Sequence, residues 1–208
     1  MTSKIPGGYI VAIEGIDAVG KNTHSLILFR WLARKGVKAT RMSFPDYDTS
    51  IGKEIKSFLS GQRTYPMELQ HLLFAANRWE KRDEIQARLR AGEIIIVNRY
   101  TESNLAYGMA NGLDAQWLAN LEMGLPKANL VVVLDASVSS LSSRRPGTRK
   151  DAYERSSKLQ TKAQKAYREL GRQQGWKLID ANGEVEGVQD DVLTAVREAL
   201  KRDLGISV

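Results

Sequence analysis

The 208-residue chain contains no cysteine. Disulfides and cysteine-ligated zinc are therefore excluded. It has only two histidines, His24 and His71. Neither has a second histidine or a carboxylate at ligand spacing, so no histidine metal centre is expected. Long apolar runs are missing as well. Stretches such as Ile94 to Val97 and Leu130 to Leu134 are far too short to span a bilayer. Met1 to Gly8 lacks the apolar region of a signal peptide. These absences predict a cytoplasmic protein with no membrane partner. Aromatic residues are scarce, at 7%, and no basic stretch is interleaved with them. The net charge of +7 thus does not carry a nucleic-acid reading; small phosphorylated substrates or a solvated surface account for it equally well. What is present is ordinary for a globular protein with a real core: 42% apolar and 26% charged residues. At this length one domain over residues 1–208 is the economical expectation.

The segment that organises the chain is Gly15-Ile16-Asp17-Ala18-Val19-Gly20-Lys21-Asn22-Thr23. It follows the apolar run Tyr9 to Ile13 and leads into a helix-compatible stretch. Strand, glycine-rich turn and helix form the context that a phosphate-binding loop requires. Glycines let successive backbone N–H groups converge on an anion, and the helix offers the same anion its positive end. Lys21 then reaches the outer phosphates as a point charge. These nine residues are the expected ATP-binding loop. One position departs from the pattern, because Asn22 stands where Ser or Thr normally supplies a hydroxyl to Mg²⁺. The motif announces a nucleoside triphosphate without choosing between kinase, GTPase and ATPase.

Short apolar, β-branched runs recur along the chain at Tyr9–Ile13, Val37–Ser43, Ile94–Val97, Leu130–Leu134 and Trp176–Ile179. Amphipathic stretches separate them, among them Ser50–Leu59, one long helix over Pro66–Arg90, and Asp151–Gln174. The alternation predicts an α/β fold of the P-loop NTPase type. Its parallel five-stranded sheet would be flanked by helices on both faces, with a mobile lid. In such sheets ligands bind at the carboxyl ends of the strands, so the residues that follow each strand matter most.

Those residues are informative. Phe44-Pro45-Asp46-Tyr47 follows the second run, and Asn98-Arg99-Tyr100 the third, with Ser103, Asn104 and Tyr107 in the loop beyond. Phe74 and Arg78 are four apart and share a helical face, which suits stacking on a base and pairing with a phosphate. Arg144, Arg145 and Arg149 lie in a Pro-Gly-interrupted basic stretch expected to be a lid, about residues 144–152. Taken singly, each of these is also compatible with a core aromatic, a surface turn or a solvated charge run.

Taken together they resemble the thymidylate kinases. The resemblance rests on Glu14-Gly15-Ile16-Asp17 with Gly20-Lys21, Phe44-Pro45, Phe74 with Arg78, Arg99-Tyr100, Gly124-Leu125-Pro126-Lys127 and Asp151-Ala152-Tyr153-Glu154, in the family's order. It implies phosphorylation of dTMP to dTDP at the expense of ATP, with Mg²⁺, by a homodimer packed through helices to which Pro66–Arg90 contributes. It also implies roles. Phe74 would stack on thymine, Arg78 would sit near the base and monophosphate, and Arg99 would hold the dTMP phosphate. Ser103 and Asn104 would read the pyrimidine, while Tyr107 would lie beside the deoxyribose. Phe44, Tyr47 and Tyr153 would complete the substrate's surroundings. Asp17, Lys21, Arg99, Arg144, Arg145 and Arg149 would be the catalytic set. Asp17, Asn22 and Glu154 would be the candidate metal ligands, Asn22 through its carbonyl oxygen. Ala18 occupies a place where some members carry a catalytic Arg, which passes that task to the lid. Asn98 replaces the usual Asp, so weaker Mg²⁺ binding is expected.

Two rivals remain open at this level. A deoxynucleoside or other pyrimidine-nucleotide kinase would need a carboxylate base, for which Glu14 is the candidate. A nucleotide-binding sensor without transferase activity would fit Asn22 and Asn98.

Overall fold

Runs such as Tyr9-Ile10-Val11-Ala12-Ile13 carry bulky, β-branched side chains on both faces, and can bury both only inside a sheet covered on each side. A computed structural model describes residues 7–141, 153 and 156–207. In it five parallel strands form one sheet: β1 (Tyr9–Glu14), β2 (Ala39–Ser43), β3 (Ile94–Asn98), β4 (Leu130–Asp135) and β5 (Lys177–Asp180), in the order β2-β3-β1-β4-β5. Every residue of β1 is buried, as are the first four of β3. The register aligns Ile13 with Asn98 on one side and with Val132 on the other. The carboxyl ends of β1, β3 and β4 thus open on a common edge.

Nine helices lie among the described residues: α1 (Lys21–Arg34), α2 (Ser50–Leu59), α3 (Met67–Trp79), α4 (Arg82–Arg90), α5 (Thr101–Ala110), α6 (Ala115–Leu121), α7 (Val138–Leu141), α8 (Ser157–Gln174) and α9 (Val185–Leu204). Several ends have local causes. Thr49 and Asp114 cap α2 and α6 by accepting from the N–H groups of Gly52 and Trp117. Gly175 and Gly205 close α8 and α9 in the left-handed conformation. No helix among the described residues is long and apolar enough to cross a membrane.

Two expectations from the sequence are corrected. The single long helix over Pro66–Arg90 is two, α3 and α4, with Glu80 and Lys81 between them. Side-chain bonds draw that junction toward the β2–α2 segment: Lys81 Nζ lies 3.0 Å from Asp46 Oδ2, and Glu80 Oε1 accepts from the N–H of Ile51 at 3.2 Å. The segment after β3, expected as a loop, is the helix α5. Ser103, Asn104, Ala106, Tyr107 and Gly108 are all buried on it. A helix covered on more than one face has no polar side, so it lacks the amphipathic period that marks surface helices.

Candidate active site

The phosphate loop is built as its glycines require. Gly15 has a φ of 128°, and a side chain there would bring Cβ to 2.4 Å from the backbone oxygen of Leu134. Gly20 caps α1 in the left-handed conformation, with no side-chain hydrogen bond to the helix end. The first N–H groups of α1 are thereby left for an anion. Lys21 is buried, and its Nζ donates to the Ile16 carbonyl at 2.7 Å, which folds the ammonium into the loop.

Beside the loop lies a cavity of about 250 Å³. Of the residues expected to bind substrate, Phe44, Tyr47, Phe74, Arg78, Arg99, Ser103, Asn104, Tyr107 and Tyr153 all line it, and so does Asp17. The structure therefore gathers segments up to 136 residues apart (Asp17 to Tyr153) around one space. One wall is aromatic: Phe74 stands edge-on to Tyr153 at 5.9 Å between centroids, and Tyr153 packs on Tyr107 at the same separation.

Two guanidinium groups enter this space, each held by a carboxylate. Arg99 pairs with Asp17 across the cavity, and its guanidinium sits 5.2 Å over the Tyr107 ring. The backbone of Arg99 is itself left-handed, at φ 63°. A side chain in that region costs of order 1 kcal/mol, a strain typical of functional positions. Burial would raise the Asp17 carboxyl, but the charges of Arg99 and Lys21 outweigh it and hold the group down at about 2. Arg78 is bound in bidentate fashion by Glu122, through Nε at 2.9 Å and through Nη2.

Ser103 and Asn104 line the cavity with their polar atoms already engaged. Asn104 Oδ1 lies 2.7 Å from His71 Nδ1, and its Nδ2 donates to Glu122 at 2.8 Å. Burial lowers the pKa of His71, which favours a neutral ring: Nδ1 donates to Asn104 while Nε2 accepts from Asn111 at 3.2 Å. Ser103 Oγ donates to Glu14 at 2.5 Å. In this conformation both residues shape the wall rather than offer it free groups.

Two functional residues, Gln160 and Asn77, escape a sequence reading, and Glu14, read there as a candidate base, serves as a structural tie. Glu14, fully buried, accepts from the Tyr100 N–H at 2.6 Å, from Ser103 at 2.5 Å and from Tyr167 Oη at 2.8 Å. It ties β1 to α5 and α8 and is not among the residues lining the cavity, so it is poorly placed to serve as the rival kinase's base. Gln160 is buried on α8, where its Nε2 donates to Asp17 at 2.8 Å and to the Tyr153 carbonyl at 3.0 Å. Its Oε1 accepts from the Asp17 N–H at 3.0 Å. Asn77 is buried on α3 and fixes the Asp46 backbone from both sides, at 2.8 and 3.2 Å. Gln160 carries the one available signal, a polar residue on the otherwise apolar stripe of Ala163, Tyr167 and Leu170.

Among the described residues no group of three or more His, Asp or Glu gathers as a metal site. Asn22 Oδ1, expected to face a metal, instead accepts from Arg41 Nη1 at 2.7 Å. Asn98 Oδ1 is buried without a partner and belongs to the cavity wall. One such oxygen together with Asp17 fits the modest protein share of a Mg²⁺ shell that phosphates and water complete. Arg144, Arg145, Arg149 and Glu154 lie outside the described residues.

A family model described as thymidylate kinase matches residues 13–192. The thymidylate kinase of Arabidopsis thaliana is 35% identical over 94% of this chain and 73% of its own length. That of Homo sapiens is 31% identical over 95% of this chain and 96% of its own. A solved structure of thymidylate kinase from Candida albicans superposes with a TM-score of 0.79, at 30% identity, covering 94% of this chain and 92% of that one.

Proposed function

Because the chain belongs to the thymidylate kinase family, we propose that it transfers the γ-phosphoryl group of ATP to the phosphate of dTMP, giving dTDP and ADP for deoxynucleotide biosynthesis. The observation that carries this reading is the position of Arg99. Its guanidinium sits between the phosphate loop's Asp17 and a cavity lined by Phe74 and Arg78.

The acceptor is already an anion, so no strong base is required, and the task is to bring two polyanions into line. ATP lies on the N–H groups of the 15–23 loop with Lys21 at its outer phosphates. The base of dTMP packs on Phe74, its sugar lies beside Tyr107, and Arg78 stands near the base with its fork held flat by Glu122. The dTMP phosphate displaces Asp17 from Arg99. The guanidinium exchanges one anion for another, so it is never left buried without a charge partner. The freed Asp17 carboxylate and Asn98 Oδ1 are then the two oxygens that would hold Mg²⁺. Held by these groups, Mg²⁺ would supply positive charge between the two phosphates. Lys21 and Arg99 neutralise the rest from opposite sides.

We assign the active species to a cytoplasmic homodimer of single-domain chains covering residues 1–208. The test is a coupled ADP-release assay across a panel of nucleoside monophosphates. The wild type should prefer dTMP, and Arg99→Ala should lower kcat/KM by well over tenfold, because a charge-assisted phosphate contact contributes about 1.5–3 kcal/mol. Near-normal dTMP turnover by that variant would remove Arg99 from its role.

A further inference from the structure

The residue after Lys21 is the place where a phosphate loop normally uses a side-chain oxygen on the metal. Here that oxygen already has a cation. Arg41 Nη1 donates to Asn22 Oδ1 at 2.7 Å and stands 3.5 Å from Ser25 Oγ. A guanidinium only donates, so Arg41 also fixes which end of the Asn22 carboxamide faces it: the oxygen is spent on Arg41 and the amide N–H₂ points elsewhere. A metal ion could claim this oxygen only by expelling an arginine.

Arg41 comes from β2, an edge strand, two residues before Ser43. Residues two apart on a strand share a face, and Ser43 lines the cavity assigned above to dTMP. Arg41 therefore rises on the side of β2 that faces the site, between the loop and the acceptor cavity. Its side chain is exposed. The two bonds it makes among the described residues use Nη1 alone, so Nη2 and Nε keep their donors. A planar fork with free donors beside a helix N-terminus is suited to a phosphate oxygen.

We propose that Arg41, oriented by Asn22, is a nucleotide-phosphate contact that takes over part of the work the loop's metal-bound hydroxyl does elsewhere, so that this chain binds adenine nucleotides with little help from Mg²⁺. The proposal rests on the kinase reading only for the identity of the nucleotide. Arg41 contributes a fixed positive charge, whereas the metal contact it replaces depends on the free ion.

The experiment is calorimetric titration of ADP and of adenosine into the full chain, in excess EDTA and in excess Mg²⁺. For the wild type the two ADP dissociation constants should lie close together. Arg41→Ala should weaken metal-free ADP binding by about tenfold, the loss expected for an exposed charge-assisted phosphate contact. Adenosine binding should be unchanged, and Arg41→Lys should recover part of the loss. Asn22→Thr, which restores the hydroxyl and deprives Arg41 of its acceptor, should widen the gap between the Mg²⁺ and EDTA constants. The proposal is overturned if metal-free ADP binding by Arg41→Ala stays within twofold of wild type. Equal weakening of ADP and adenosine overturns it too, since that is the mark of a merely structural tie between β2 and α1. Failure to phosphorylate dTMP would sink the kinase reading and leave these titrations interpretable.

Discussion

Glu102 is a carboxyl in a hostile place. It lies on the first turn of α5, where its Oε2 is buried without a partner. Burial, and then the negative charge of Glu14, push its pKa from the ordinary 4.5 up to about 8. The donors that α5 and α8 supply go to Glu14, whereas Glu102 Oε2 has none. A raised acid favours the folded state fully below its unfolded pKa, and that contribution drains away as pH rises through the folded value. Stability should thus fall between about pH 4.5 and pH 8 as Glu102 is forced to ionise. One pKa unit corresponds to about 1.4 kcal/mol, so the whole span amounts to a few kcal/mol at most. Glu102→Gln, neutral throughout, should keep its Tm nearly level over this window while the wild type declines. Melting curves at half-unit pH steps check this, and parallel curves would mean that Glu102 ionises freely. Asp17 runs the opposite way. Its lowered pKa confers stability above about pH 4 that is lost only near pH 2, outside the window in which Glu102 acts.

Between residue and fold stands the contact of the β2–α2 segment with α2 and α3. Asn77 clamps the Asp46 backbone and also donates to Thr49 Oγ1 at 2.8 Å. From the other side α2 presses so close that a Cβ on Gly52 would fall 1.7 Å from the Asp46 carbonyl oxygen and 2.9 Å from Tyr47 Cα. Gly52 is helical, so the requirement is for space rather than for an unusual φ. Gly52→Ala should therefore displace the 44–47 segment, of which Phe44, Pro45 and Tyr47 line the cavity proposed for dTMP. The expected result is a KM for dTMP raised by about tenfold, with the KM for ATP little changed, read from initial rates at saturating partner substrate. Backbone contact of this kind cannot yield without the segment shifting, at the 1–3 kcal/mol typical of overpacking. Equal KM values would show that the segment is softer than its packing implies. The same elements mark where the sequence is legible and where it is not. The phosphate loop and the strands were readable because their signals are local: glycine spacing in one case, continuous β-branched runs in the other. The α3–α4 break was not, because it contains neither Pro nor Gly and is set by bonds to residues some thirty positions back. Helix α5 was hidden by burial on several faces. Arg99, Phe74 and Arg78 were found through their place after strands and along a helix, whereas Glu14, Asn77 and Gln160 act through partners that only the fold supplies.

At the scale of the whole molecule, helix α3 works on two sides. His71, Phe74 and Arg78 face the dTMP cavity. Leu69, Leu72 and Trp79 recur at i, i+3 and i+10 on the other side and are 38%, 41% and 38% exposed. Met123, 69% exposed, lies next to Trp79, whose Nε1 donates to the Leu121 carbonyl at 2.9 Å. Exposed apolar side chains along one face of α3 suit a surface that a partner covers, and a second copy meeting this one across a two-fold axis would cover both copies of that face at once. The inward and outward rows belong to one helix, so a contact that buried the outer row would also steady the groups facing the cavity. On the homodimer proposed above, joined through this face, Leu72→Glu should give a monomer in sedimentation velocity, since the introduced charge would meet its own copy across the axis. The monomer should still fold, because Leu72 makes no part of the core, but its KM for dTMP should rise, while ADP binding at the distant loop holds. A variant that remains dimeric would place the interface elsewhere. A monomer with an unaltered KM would instead separate assembly from the cavity, and α3 would then owe its stiffness to Asn77 and Glu122 alone.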